Sequence, residues 1–195
     1  PTTLTSSYEQ LLAVTENIGA RYQEASGAKI RGLYFEGPYF TEKYKGAQNP
    51  AYMKDPRMDE FRAWQKAANG LLNKIALAPE REGVEEFVRT ITDEGVTVAL
   101  GHSDATYDEA KAAVEAGASV WVHAYNGMRG LTHRELGMVG AMYELPHTYA
   151  ELICDGHHVD PKACDILLKQ KGHEHVALIT DCMTAGGLED GDYML

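Results

Sequence analysis

At 195 residues, 44% of them hydrophobic, the chain is long enough to bury a sizeable core, and its length fits one domain. A formal net charge of −11 with no concentrated basic patch argues against a nucleic-acid partner, so any anionic ligand must be held by a few local donors. No apolar run approaches the ~20 residues that span a bilayer, and the opening PTTLTSSYEQ lacks a secretory signal pattern. Cys154, Cys164 and Cys182 are odd in number and have no disulfide or zinc-finger spacing, which predicts a reducing, cytoplasmic setting.

In chain order, a helix is expected over 6–25, then six apolar, β-branched or aromatic runs read as strands: 29–35, 74–78, 96–100, 119–123, 149–154 and 176–180. Helical periodicity fills 84–94 and 107–116. The second of these follows the capping cluster Ser103-Asp104-Ala105-Thr106 and stops at Gly117. A further helix opens on Pro161 and closes before Gly172. Alternating strands and helices predict an α/β fold with a parallel sheet.

A doubly wound sheet and a (β/α)8 barrel share that order, and the polar residues separate them. The strands end in FEG (Glu36), LGHSD (His102), VHAYN (His123), CDGHH (His157, His158) and TDC (Asp181). In a barrel these ends meet on one catalytic rim, whereas an open sheet spreads them along an edge. The barrel is therefore expected. Imidazoles and carboxylates converging on one point suit a divalent metal, and three protein ligands would leave a position open for water. Each residue alone is more often a structural group; several at successive strand ends indicate a site. Gly37, Gly101 and Gly156 lie beside these groups, where backbone turns sharply.

The segments GLYFEGPYF (32–40), ALGHSDATYDEA (99–110), VHAYNGMRGLTHRELG (122–137), DGHHVD (155–160) and LITDCMTAGG (178–187) resemble those of N-acetylglucosamine-6-phosphate deacetylases of the amidohydrolase superfamily. The resemblance spans nearly the whole chain. It implies that Glu36, His102 and His123 bind metal and that Asp181 is the catalytic acid/base. It implies sugar-phosphate contacts at Ala47, Gln48, Asn126, Gly127, Arg134 and His158, with Arg134 reaching a neighbouring subunit in a homodimer. Some members carry histidine in place of Gln48. Zinc is the expected metal, with iron, manganese and cobalt as alternatives.

The implied architecture is a metal-dependent hydrolase (β/α)8 TIM barrel, of which the chain supplies about the last six strand–helix units. Residues 1–195 form one catalytic domain, and 188–195 begin the return to a small β-sandwich. Counting back from Asp181 on the eighth strand puts Glu36 on the third, with two strands expected ahead of Pro1. The implied reaction is hydrolysis of N-acetylglucosamine 6-phosphate to glucosamine 6-phosphate and acetate, in the cytoplasm and away from membranes. Another amidohydrolase activity, or a non-catalytic fragment binding metal or sugar phosphate, remains the alternative. His173-Glu174-His175 reads as a solvated loop on the opposite rim, His157 as a bystander, and His133 and His147 as histidines without an identified partner.

Overall fold

A computed structural model describes residues 1–193. Seven parallel strands follow one another in strict sequence order: β1 (Thr2–Thr3), β2 (Leu33–Glu36), β3 (Leu72–Leu77), β4 (Thr97–Leu100), β5 (Val120–Trp121), β6 (Tyr149–Ile153) and β7 (Val176–Ile179). The crossovers are α1 (Tyr8–Arg21), α2 (Met58–Ala67), α3 (Val84–Asp93), α4 (Tyr107–Glu115), α5 (Gly137–Glu144) and α6 (Pro161–Lys171). A doubly wound sheet reverses its strand order at a switch point, and this sheet never does. It is the curled wall of a (β/α) barrel.

The expected six strands are thus corrected to seven. Thr2–Thr3 pairs with Tyr34–Phe35 and takes one of the two strand positions expected ahead of Pro1. Two threonines are too short a run to carry a strand pattern. The first foreseen strand starts later, at Leu33, and the fourth shrinks to Val120–Trp121 because the chain turns into a left-handed conformation at His123 (φ 28°). Two helices lie where none was named. In α2, Phe61 and Trp64 are fully buried on one face; α5 is apolar on nearly all sides and so shows no amphipathic period. The 188–195 return forms no strand over residues 188–193, and residues 194 and 195 lie outside the described residues.

Register puts the site on one rim. Glu36 pairs with Ala76 and Ala76 with Ala99, three positions on the inner face, while Leu100 pairs with Trp121. His102 and His123 each follow two residues beyond that last pair, so they rise from neighbouring strands at the same height. One layer deeper, an ion pair joins Lys74 of β3 to Glu151 of β6 across the inner face, with the ammonium over the Tyr34 ring. The alternate faces build the main core with the helices, from Phe35, Trp64, Ile75, Leu77, Phe87, Ile91, Val98 and Trp121. Helix α4 opens on a reciprocal capping box between Thr106 and Glu109. The His173–His175 segment is a single 3-10 turn before β7, at the rim away from the site.

Lys171, at the end of α6, is 5% exposed, and its ammonium donates to the Leu145 carbonyl and the Thr148 hydroxyl, both at 2.8 Å. Burial pushes its pKa down from 10.5 to about 8. Between those values the unfolded chain binds more protons than the folded one, so this lysine's contribution to stability rises with pH across that window. Urea unfolding at pH 7.5 and 9.5 should show wild type gaining stability relative to Lys171→Met at the higher pH; a pH-independent difference would contradict the assignment.

Candidate metal centre and active site

The ends of β2, β4 and β5 bring one oxygen and two nitrogens within 4.8 Å of one another: Glu36, His102 and His123, all buried. His102 Nε2 lies 3.0 Å from Glu36 Oε1 and 3.0 Å from His123 Nε2, and His123 Nε2 lies 3.6 Å from the same carboxylate oxygen.

The outer hydrogen bonds fix what those nitrogens carry. His102 Nδ1 is 2.8 Å from the Tyr44 carbonyl, and His123 Nδ1 is 3.0 Å from the Asn126 carbonyl. A carbonyl only accepts, so each Nδ1 holds a proton and each ring turns its Nε2 inward, where a neutral imidazole presents a lone pair. Two lone pairs and a carboxylate oxygen facing each other repel unless a cation or a proton lies among them. The donor set therefore fits a divalent metal, with the backbone carbonyls orienting both rings. Burial would raise the Glu36 pKa, but hydrogen bonds and charge from His102 and His123 outweigh it and bring it down to about 2. Against burial, the same carboxylate raises the His123 pKa, so without a metal ion protons shared among the three groups take its place.

Gln48 completes the support of Glu36. The Thr5 backbone N–H donates to Gln48 Oε1 at 2.6 Å, which orients the amide so that Nε2 donates to Glu36 Oε1 at 3.1 Å. One N–H of the amide remains for another partner.

Backbone strain gathers here. His102, His123 and Asp181 adopt left-handed φ values of 47°, 28° and 50°, which non-glycine residues seldom do. Gly127 (φ 58°) lies so close that an added Cβ would sit 3.1 Å from His102 Nδ1.

Above the cluster opens a cavity of about 780 Å³ lined by Glu36, Ala47, Gln48, His102, His123, Asn126, Gly127, His158 and Asp181, among others. These are nine of the ten site residues expected from sequence. Arg134 is exposed on the loop before α5 and stands outside this lining. Asp181 is exposed at the cavity and acts electrostatically on His123. His158 Nδ1 lies 2.6 Å from Asp155 Oδ2, while Asp155 Oδ1 accepts the backbone N–H groups of His157 and His158. Those bonds hold the Asp155 carboxyl well below the usual carboxylate range and leave His158 Nε2 free. His157 is exposed and outside the lining.

Sequence reasoning missed Asp155 and the carbonyls of Tyr44 and Asn126. The first is visible as Asp-x-x-His in DGHH. Backbone acceptors have no sequence signal.

A parallel barrel wall with a carboxylate–imidazole–imidazole cluster at its C-terminal rim defines the class, a barrel of the amidohydrolase type. No family model matches the chain. Over its whole length it is 44% identical to an N-acetylglucosamine-6-phosphate deacetylase of Vibrio furnissii, of which it covers 49%. It is 42% identical to an N-acetylgalactosamine-6-phosphate deacetylase of Escherichia coli O157:H7, of which it covers 52%. It superposes over 100% of its length, at a TM-score of 0.94 and 34% identity, on half of a Mycobacterium smegmatis N-acetyl-D-glucosamine-6-phosphate deacetylase mutant in complex with N-acetyl-D-glucosamine-6-phosphate. Along its whole length the chain is similar to N-acetylglucosamine-6-phosphate deacetylases. It spans about half the length of the curated relatives it matches.

Replacing Gly127 by alanine places a Cβ in a left-handed conformation against His102, at a cost of about 1–2 kcal/mol. Denaturant unfolding of Gly127→Ala should show that loss together with weaker divalent-metal affinity; unchanged metal affinity would show that the close approach does not matter.

Proposed function

We propose that the protein hydrolyses the N-acetyl group of N-acetylglucosamine 6-phosphate to glucosamine 6-phosphate and acetate, using one divalent ion held by Glu36, His102 and His123. The observation that carries the reading is the convergence of two imidazole lone pairs and a buried carboxylate beneath a cavity that also contains Asp181 and His158. Zinc suits this nitrogen–oxygen donor set, with iron, manganese and cobalt as alternatives.

A bound divalent ion supplies Lewis acidity toward the amide carbonyl and makes water more acidic. Asp181 takes the proton from the attacking water as general base and returns it to the departing amine nitrogen as general acid. His158, oriented through Nδ1 by Asp155, offers Nε2 to the substrate. Asn126 and the Gly127 N–H hold the phosphate, joined by Arg134 from the neighbouring subunit of a homodimer, whose guanidinium offers a bidentate fork. Gripping this remote group sets the acetamide over the reacting centre. With a net charge of −11, the overall field opposes an anionic substrate, and these local donors must outweigh it. The reaction belongs to a cytoplasmic amino-sugar catabolic route.

The relative that acts on N-acetylgalactosamine 6-phosphate, at 42% identity, makes the C4 epimer the competing substrate. Acetate release from both sugar phosphates and from unphosphorylated N-acetylglucosamine, measured on metal-loaded protein, tests the proposal. Release should require the phosphate and be faster for the gluco sugar. Asp181→Asn should lower turnover by at least about a hundredfold while retaining substrate binding. A fully active Asp181→Asn protein would sink the mechanism, and phosphate-independent release would favour another amidohydrolase activity.

A further inference from the structure

Glu80 lies just beyond the end of β3, half-buried and outside the cavity lining. Every group that reaches it is a donor. Glu80 Oε1 accepts the Thr41 hydroxyl at 2.6 Å and the Asp104 backbone N–H at 2.7 Å, and Oε2 accepts the Ser103 hydroxyl at 2.7 Å. Ser103 is fully buried, and its oxygen also accepts the Ala105 N–H at 2.9 Å. One carboxylate thus ties the loop after β2 to the loop after β4.

Both of those loops act on His102. The Thr41 N–H donates to the His102 carbonyl at 3.0 Å, so Thr41 is joined to Glu80 through its side chain and to His102 through its backbone. The Tyr44 N–H donates to the Thr41 carbonyl at 3.1 Å, and the Tyr44 carbonyl is the acceptor that keeps the proton on His102 Nδ1. On the other side, Ser103 and Asp104 directly follow His102, whose left-handed φ of 47° persists only if its neighbours hold it. The Ser103 N–H adds a bond to the Gly127 carbonyl at 3.0 Å. Glu80 therefore restrains His102 from before and after, without touching the space a substrate would fill.

We infer that Glu80 is a positioning residue for the metal centre: through Thr41 and Ser103–Asp104 it fixes the angle and tautomer of His102. The inference rests on the proposed metal-binding role of Glu36, His102 and His123. Asp104 is further flanked by Lys43, at 2.8 Å from Oδ2, and Arg129, at 3.5 Å from Oδ1, so the loop after β4 has some support of its own. Removing Glu80 should accordingly loosen the centre and leave the barrel intact.

The test is Co2+ binding to the whole protein, read by d–d absorption and by competition with a chelator. Glu80→Ala removes both acceptor oxygens and all three hydrogen bonds they accept, and should weaken Co2+ binding by about ten- to a hundredfold, with a shifted absorption band at saturation. Glu80→Gln keeps one oxygen acceptor and lets the Ser103 hydroxyl reverse its role, so it should recover most of the affinity. Thr41→Val, which removes a single donor, should show a smaller loss in the same direction and serves if Glu80→Ala does not fold. Wild-type affinity and spectrum in Glu80→Ala would overturn the positioning role. Failure of the wild-type protein to bind Co2+ at all would instead overturn the metal reading on which this rests.

Discussion

The structure turns on a single electrostatic constraint: two imidazole lone pairs and an ionised carboxylate meet within hydrogen-bonding distance in a buried place. Without a metal ion or a proton among them such an arrangement is unfavourable, because like ends of dipoles and a negative charge face one another away from water. It persists because each group is restrained from behind. Tyr44 and Asn126 hold the ring protons, and Gln48, itself fixed by Thr5, grips Glu36. The same constraint explains the left-handed backbone at His102 and His123 and the glycine at 127, where a side chain would crowd the His102 ring.

The barrel serves this centre by register. Parallel strands in sequence order place the ends of β2, β4 and β5 on one rim, and small inner-face residues, Ala76 and Ala99, leave room beside Glu36. One layer below, the cavity floor carries charges of both signs, Lys74 and Glu151, joined across the interior. Neither is left as an unpaired charge facing the buried carboxylate, which matters in an interior where isolated ions are costly. The rim loops carry the chemistry and the strands and helices beneath them hold it still.

Much of this was legible in the sequence, for a physical reason. Parallel strands buried on both faces read as short apolar runs, and a polar residue at the end of such a run stands out. Glu36, His102, His123, His158 and Asp181 were visible in that way. Thr2–Thr3 was not, because two residues carry no alternation, and α5 was not, because a helix buried on nearly all sides shows no amphipathic period. Glu80 was passed over because it lies three residues beyond Leu77, the last residue of β3, and acts only through hydrogen bonds to other loops. Gln48 was expected at the site by resemblance, whereas the hydrogen bonds that tie its amide to Glu36 and Thr5 have no sequence signal.

The most direct test of the central claim is X-ray absorption of the zinc-loaded protein at the metal edge. The account predicts a shell of nitrogen and oxygen ligands at about 2.0–2.1 Å with the multiple-scattering signature of two imidazoles, and loss of one imidazole contribution in His102→Ala. A spectrum without histidine ligation, or one unchanged by His102→Ala, would contradict it.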